Sequence, residues 1–232
     1  MYRKLFHHAG RGLLAALCVS ALVGGHAAAQ DGSSDRSQYT KMSSEELADH
    51  LMFKADGFKT GMATQEGTTV GERLRQDELQ ETCSGRAQMD SANVSKVIEL
   101  ARKSMEYPDG GIELGDWKKG QSLAENAFGF RVGHNVDDHS AKETGGLCIN
   151  CHKMEEKKAI RSGTLGPSLV NFGTNRGHGE DTKKYTYEVL YNPHVFFPCT
   201  NMPRFGVNGV LTKQKISHIM AYLLDPDSPV NK

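Results

Sequence analysis

Residues Cys148-Ile149-Asn150-Cys151-His152 constrain this chain more than any other stretch. A Cys-x-x-Cys-His run is the attachment pattern of a c-type haem. Each position has a chemical task. The thiols of Cys148 and Cys151 add across the two porphyrin vinyl groups as thioethers, and the two residues between them set a matching separation. His152 is then held under the ring with its imidazole aimed at the iron. Three other readings share the pattern. One is half of a zinc site, which no second Cys pair or His-x-His cluster nearby completes. Another is a thioredoxin-like redox pair, which no βαβ pattern surrounds. The third is chance, which the pentapeptide alone does not exclude.

The start of the chain supplies the context. Arg3, Lys4 and Arg11 precede an apolar run from Gly12 to Gly25, and Ala27-Ala28-Ala29 follows. This reads as a secretory signal peptide over residues 1–29, its apolar part too short for a membrane span. Cys18 is preceded by Leu17 rather than a small residue, so no lipid anchor is expected. Cleavage after Ala29 yields an exported protein, expected in the periplasm, where c-type haems are attached. Without the three basic residues of the leader, 28 basic residues fall by three against 28 acidic ones, a net charge of about −3. Neither nucleic acid nor an anionic lipid surface is implied as a partner. Of the 5 cysteines, Cys83 and Cys199 remain once the leader and the haem have taken theirs. In an oxidising compartment a disulfide is the expected state, with two reactive thiols as the alternative.

The rest reads as all-α. Residues 30–111 form an N-terminal extension with about three helices. Gln30 to Met42 is a polar tail. Ser43 and Glu46 form a capping box for a helix carrying Leu47, Leu51 and Met52 on one side. A second helix is predicted over Glu72 to Thr82, with Cys83 at its end. In a third, Val94, Val97, Ile98, Ala101 and Met105 make a helical stripe after a cap at Ser91 or Asn93. Tyr107-Pro108-Asp109-Gly110-Gly111 stops it. From Ile112 a second unit, residues 112–232, begins. Asp116 caps a helix whose Trp117, Gly120, Gln121, Ala124 and Phe128 share a face, with Gly120 and Ala124 leaving room for close approach of another helix. His134 and His139 fall in a polar segment and read as loop histidines. Gly166-Pro167 lies fourteen residues after His152 and offers a backbone carbonyl to the His152 Nδ1–H. Tyr185 to Tyr191 is a short helix. The last helix is capped by Thr212, carries Ile216, Ile219, Met220, Leu223 and Leu224, and ends at Asp225-Pro226.

The second axial ligand decides the class of function, because one protein ligand leaves iron open and two make an electron carrier. Met154 is too close to His152 in the chain to reach the opposite face. Met220 belongs to a core stripe, and His178 and His194 are expected at the surface. Met202 lies between Pro198 and Pro203, flanked by Phe196, Phe197 and Phe205. A thioether there suits an apolar pocket, and His/Met ligation is a recurrent cytochrome c arrangement. The alternative is a methionine that merely packs on those rings. Cys199 is open to a ligand or nucleophile reading, as well as to a disulfide with Cys83.

Asp116-Trp117-Lys118-Lys119-Gly120, the Cys148–His152 run, Gly166-Pro167-x-Leu169, Met202-Pro203 and the last helix together resemble a class I cytochrome c over about Ile112 to Asp225. More narrowly, the loop from Phe197 to Gly206, the tail from Leu223 to Lys232 and Gly115-Asp116-Trp117-Lys118 are similar to the SoxX family. SoxX proteins are the small cytochrome subunits of the SoxAX complex of thiosulfate oxidation. The resemblance implies one haem c on Cys148 and Cys151 with axial ligands His152 and Met202, and no catalytic residue in this chain. It implies a SoxA-type haem subunit as partner, and indirectly the carrier SoxYZ and a soluble cytochrome c acceptor. The complex would join thiosulfate oxidatively to a carrier cysteine. Two alternatives stand: a free-standing electron shuttle, and a catalytic cytochrome using Cys199 or an open haem site.

Overall fold

A computed structural model describes residues 36–64, 67–84, 90–130 and 142–232. The expected leader, His134 and His139 lie outside the described residues. The architecture is helical: among the described residues there is no strand, only an isolated bridge between Ala63 and Thr69. No helix among them is long and apolar enough to cross a membrane.

The chain divides into two units, residues 1–47 and 48–232. In the first, a 3-10 helix, Arg36–Lys41, occupies part of the polar tail. The capping box forms as its sequence dictates. Ser43 N–H donates to Glu46 Oε2 at 2.8 Å, and Glu46 N–H donates to Ser43 Oγ at 3.2 Å. It opens helix α1, Ser44–Asp49.

In the second unit a π-helical turn, His50–Lys54, comes first. The expected apolar stripe of this region does not become core: Leu51 is exposed and Met52 half-buried. The helix predicted over 72–82 is two helices, α2 (Val70–Leu74) and α3 (Glu78–Ser84). Thr69 and Glu72 close a capping box on the first. Asp77 and Gln80 close another on the second, with Gln80 N–H to Asp77 Oδ1 at 2.9 Å and Asp77 N–H to Gln80 Oε1 at 3.1 Å. A second N-terminal cap so soon after the first restarts the helix instead of continuing it.

Helix α4 (Ser91–Lys103) follows the predicted stripe, but its cap is Asp90, one residue earlier than expected, accepting from Asn93 N–H. Its buried Val97 and Ala101 pack with Leu79 of α3 and with Val195. The segment after α4 is laced to the rest of the unit. The Tyr107 hydroxyl donates to Glu188 Oε1 at 2.5 Å, and the Tyr187 hydroxyl donates to the Glu106 carbonyl at 2.7 Å.

Helix α5 (Trp117–Glu125) is capped by Asp116, which accepts from Lys118 N–H and Lys119 N–H. It ends at Glu125, so Phe128 lies beyond the helix and not on its face. Two short turns, a 3-10 helix over Cys148–Asn150 and another over Glu156–Arg161, precede α6 (Phe172–Arg176). Helix α7 (Glu180–Tyr191) starts earlier than the predicted Tyr185 and stops at Asn192-Pro193. Helix α8 (Lys213–Leu224) has its Thr212 cap and Asp225 end where expected, with Ile216, Ile219, Met220 and Leu224 fully buried.

The dominant helix pair is α5 on α8. Gly120 makes it possible: a Cβ there would sit 1.9 Å from the His218 carbonyl oxygen and 2.9 Å from Tyr222 Cβ. The pair is further joined by Gly115 N–H to the Ser217 carbonyl at 3.0 Å and Asp116 N–H to His218 Nδ1 at 2.8 Å. The core of the unit forms around this crossing, with Leu123, Met154, Tyr187, Leu211 and Tyr222 buried in it.

Candidate haem attachment site

The segment leading to Cys148 is pinned to α8. Lys215 Nζ donates to the Thr144 carbonyl at 3.0 Å and to Thr144 Oγ1 at 2.7 Å, and Thr144 Oγ1 donates to the Val210 carbonyl at 2.7 Å. Burial lowers the Lys215 pKa despite the nearby Glu143. Leu147, with φ of 44°, reverses the chain into the Cys148–Asn150 turn. There the Cys151 and His152 N–H groups both donate to the Cys148 carbonyl, at 3.1 and 2.9 Å. Cys148, Cys151 and His152 are thereby brought to one turn, and both thiols are free.

A second stretch runs alongside. Gly163 N–H bonds the Ile149 carbonyl at 2.7 Å, Gly166 N–H the Cys151 carbonyl at 2.7 Å, and Leu169 N–H the Lys153 carbonyl at 2.8 Å. This places Pro167 O 2.8 Å from His152 Nδ1, the contact expected from the Gly-Pro pair. A carbonyl only accepts, so Nδ1 carries the proton and Nε2 keeps its lone pair for a metal. Gly166 lies flat against the ring, where an added Cβ would come 2.3 Å from His152 Cε1. Burial pushes the Cys148 thiol up to about 12. Among the described residues no group of three or more His, Cys, Asp or Glu side chains converges to hold a metal ion. The donor set of two free thiols and one oriented imidazole fits a haem joined by thioethers.

Met202 is half-buried and packs against the same apolar core as Cys148, Ile149 and Leu169. Its N–H donates to Thr200 Oγ1 at 3.3 Å. Of its three expected aromatic flanks, only Phe205 is buried. Phe196 and Phe197 are 40% and 48% exposed, and the Phe196 ring lies beside Tyr185, 4.9 Å between centroids. Met220 is a core residue and His178 is exposed, as expected, and Met154 is buried in the core as well. His194 is not at the surface. It is buried in a 3-10 turn, Pro193–Val195, and its Nδ1 accepts the Cys199 N–H at 2.9 Å. Pro193 stops α7 and folds this turn inward onto α4.

Cys199 is disulfide-bonded to Cys83, with 5.2 Å between Cα atoms. It is therefore not a free thiolate, which removes the ligand and nucleophile readings of that residue. A cavity of about 440 Å³ runs beside the bridge, lined by Leu79, Cys83, His194, Cys199, Met202 and Arg204 among others.

Two features escaped sequence reasoning. Glu155, three residues after His152, is buried and takes the Tyr222 hydroxyl at 2.6 Å, Gln121 Nε2 at 3.0 Å and Lys158 Nζ at 3.0 Å. Burial opposes the Lys158 charge, but the carboxylates of Glu125 and Glu155 outweigh it and raise its pKa. Arg204 is also buried, its Nη1 2.7 Å from Asp77 Oδ2. The run Lys153 to Arg161 reads as a solvated charge cluster, and nothing local marks Glu155 within it. For Arg204 the usable signal is the Asp77/Gln80 box, which fixes where the acid sits.

No protein-family model matches the chain. An uncharacterized lipoprotein of Aquifex aeolicus (strain VF5) is 36% identical over 181 residues, covering 77% of this chain and 79% of the relative. At that identity and coverage, the chain belongs to the same protein family as this lipoprotein.

Proposed function

We propose that this protein is a monohaem c-type cytochrome of class I fold that relays single electrons. The observation that carries the reading is the Cys148–His152 turn with His152 Nδ1 held 2.8 Å from Pro167 O. A bound haem would supply a one-electron iron couple. Cys148 and Cys151 would hold it covalently. His152 presents Nε2, its ring fixed by Pro167 and Gly166. Met202 would take the opposite side, excluding small molecules and raising the potential. No residue of this chain has a catalytic role.

The ten-residue resemblance around Met202 supports reading the protein as a SoxX-type subunit. Its partner would be a SoxA-type haem subunit in a periplasmic thiosulfate-oxidising heterodimer, with SoxYZ and a soluble cytochrome c acting further along. The relative's description as a lipoprotein supports an exported chain. A free-standing shuttle is the second reading, since the α5–α8 crossing and the haem turn serve any class I cytochrome.

Purification of the native protein separates the two, with co-purification of a second haem protein expected and a lone monomer contradicting the complex. Carbon monoxide addition to the reduced protein tests the relay chemistry. A relay with both axial positions filled leaves the spectrum unchanged, whereas binding would show an open, reactive iron.

A further inference from the structure

We propose that helix α3 is a brace that positions Met202, anchored to the Met202 loop at both of its ends. The inference rests on the reading of Met202 as an axial ligand. Cys199, three residues before Met202, is bonded to Cys83 in the last turn of α3. Arg204, two residues after Met202, pairs with Asp77, the cap residue at the start of α3, at 2.7 Å. One short helix therefore holds both shoulders of the loop.

Thr200 N–H bonds the Phe197 carbonyl at 3.1 Å, and Met202 N–H bonds Thr200 Oγ1 at 3.3 Å, both within the loop. Cys199 itself sits at φ of 56°. A non-glycine residue keeps such a conformation only where its surroundings over-determine it. The bridge and the bond from Cys199 N–H to His194 Nδ1 do so. The brace is in turn seated. Leu79 of α3 is buried against Val97, Ala101 and Val195. The Arg204 guanidinium is buried, and a buried charge requires its partner. Asp77 is the more exposed member, its side chain at 50%. Asp77, Cys83, Cys199 and Arg204 are thus positioning residues, acting on iron through Met202.

The test uses the exported, haem-loaded protein and two variants. Asp77→Asn removes the charge but keeps a good helix cap, so α3 survives. The second replaces both bridge cysteines, Cys83→Ser with Cys199→Ser. The readout is the ferric methionine-to-iron charge-transfer band, followed on heating beside far-UV circular dichroism. In the parent, band loss and unfolding coincide. In both variants the band is expected to vanish at a temperature below that of unfolding, and the reduced double variant to bind carbon monoxide. If band loss and unfolding still coincide in both variants, the brace is refuted while the haem reading stands. If the parent shows no such band, Met202 is not a ligand, and the brace falls with it.

Discussion

The Glu155 carboxylate, three residues past His152, accepts the Tyr222 hydroxyl at 2.6 Å in the interior where α5 meets α8. Because Gln121 and Lys158 bind the same oxygen, the chain just past the Cys148–His152 turn is tied to both helices of the central crossing. Tyr222→Phe removes one donor to a charged acceptor without leaving a cavity. The expected loss is about 1.5–3 kcal/mol of unfolding free energy, read from urea denaturation. A neutral result would show that Gln121 and Lys158 suffice.

Gly120→Ala should be among the most damaging single-methyl additions, because His218 backbone and not a flexible side chain stands 1.9 Å from the new carbon. Overpacking of this kind costs about 1–3 kcal/mol or more. Gly110→Ala, with nothing within 4 Å, is the matched control and should be neutral. Thermal melts of the pair check the prediction.

Gly166→Ala acts at the site itself. Its Cβ would displace the His152 ring from Pro167. The expected outcome is a reduced yield of haem-loaded protein and a shifted reduction potential, with far-UV circular dichroism unchanged. An unaltered potential would show that the ring needs no such seat.

Replacing the Cys83–Cys199 bridge with serines should cost about 2–5 kcal/mol, since it closes a loop of 116 residues. Thiol counting on the denatured, non-reduced haem-loaded protein should find no free cysteine once the leader is removed. Two free thiols would contradict the bridge.

Stability should also fall at high pH. Burial, aided by Glu188, pushes Tyr107 up to about 12. Burial likewise raises Tyr187, Tyr191 and Tyr222. Unfolded tyrosines release their protons near the ordinary value of 10.0, whereas the folded chain keeps them. The folded state then binds more protons, so the tyrosine contribution to unfolding free energy is flat below about pH 10 and declines above it. Tyrosinate absorbance followed with urea melts from pH 9 upward measures this.

Much of this architecture was legible in local sequence. Ser43, Asp116 and Thr212 cap helices because a short polar side chain can satisfy the first free N–H groups wherever the chain allows. The Val97–Ala101 stripe and the Gly120 approach are likewise properties of one helix face. The failures involve longer range. Val70 to Ser84 carries a poor apolar pattern, and the second cap at Asp77 divides it. Leu51 and Met52 belong to a stripe with the spacing of a buried face, yet Leu51 is exposed and Met52 only half-buried. His194 follows a proline and reads as surface, yet the turn it belongs to lies under α4. Glu155 and Arg204 are buried charges whose partners Tyr222 and Asp77 are 67 and 127 residues away in sequence, and only the Asp77/Gln80 cap leaves a local trace of either pairing. At the site, Cys148, Cys151, His152 and Pro167 were readable because they act within one short stretch. Of the two α3 anchors of the Met202 loop, the Cys83–Cys199 bridge was readable from the cysteine count and the compartment, and the Asp77–Arg204 pair was not.

The central claim is that Cys148 and Cys151 carry a covalent haem with His152 beneath it. Intact-mass measurement of the protein exported from a host competent in haem attachment tests it most directly, run beside Cys148→Ala with Cys151→Ala. The account predicts a parent mass of the chain beginning at Gln30 plus one haem, retained after acid-acetone extraction and absent from the double variant. A parent that emerges from extraction without haem, both thiols free, would contradict it.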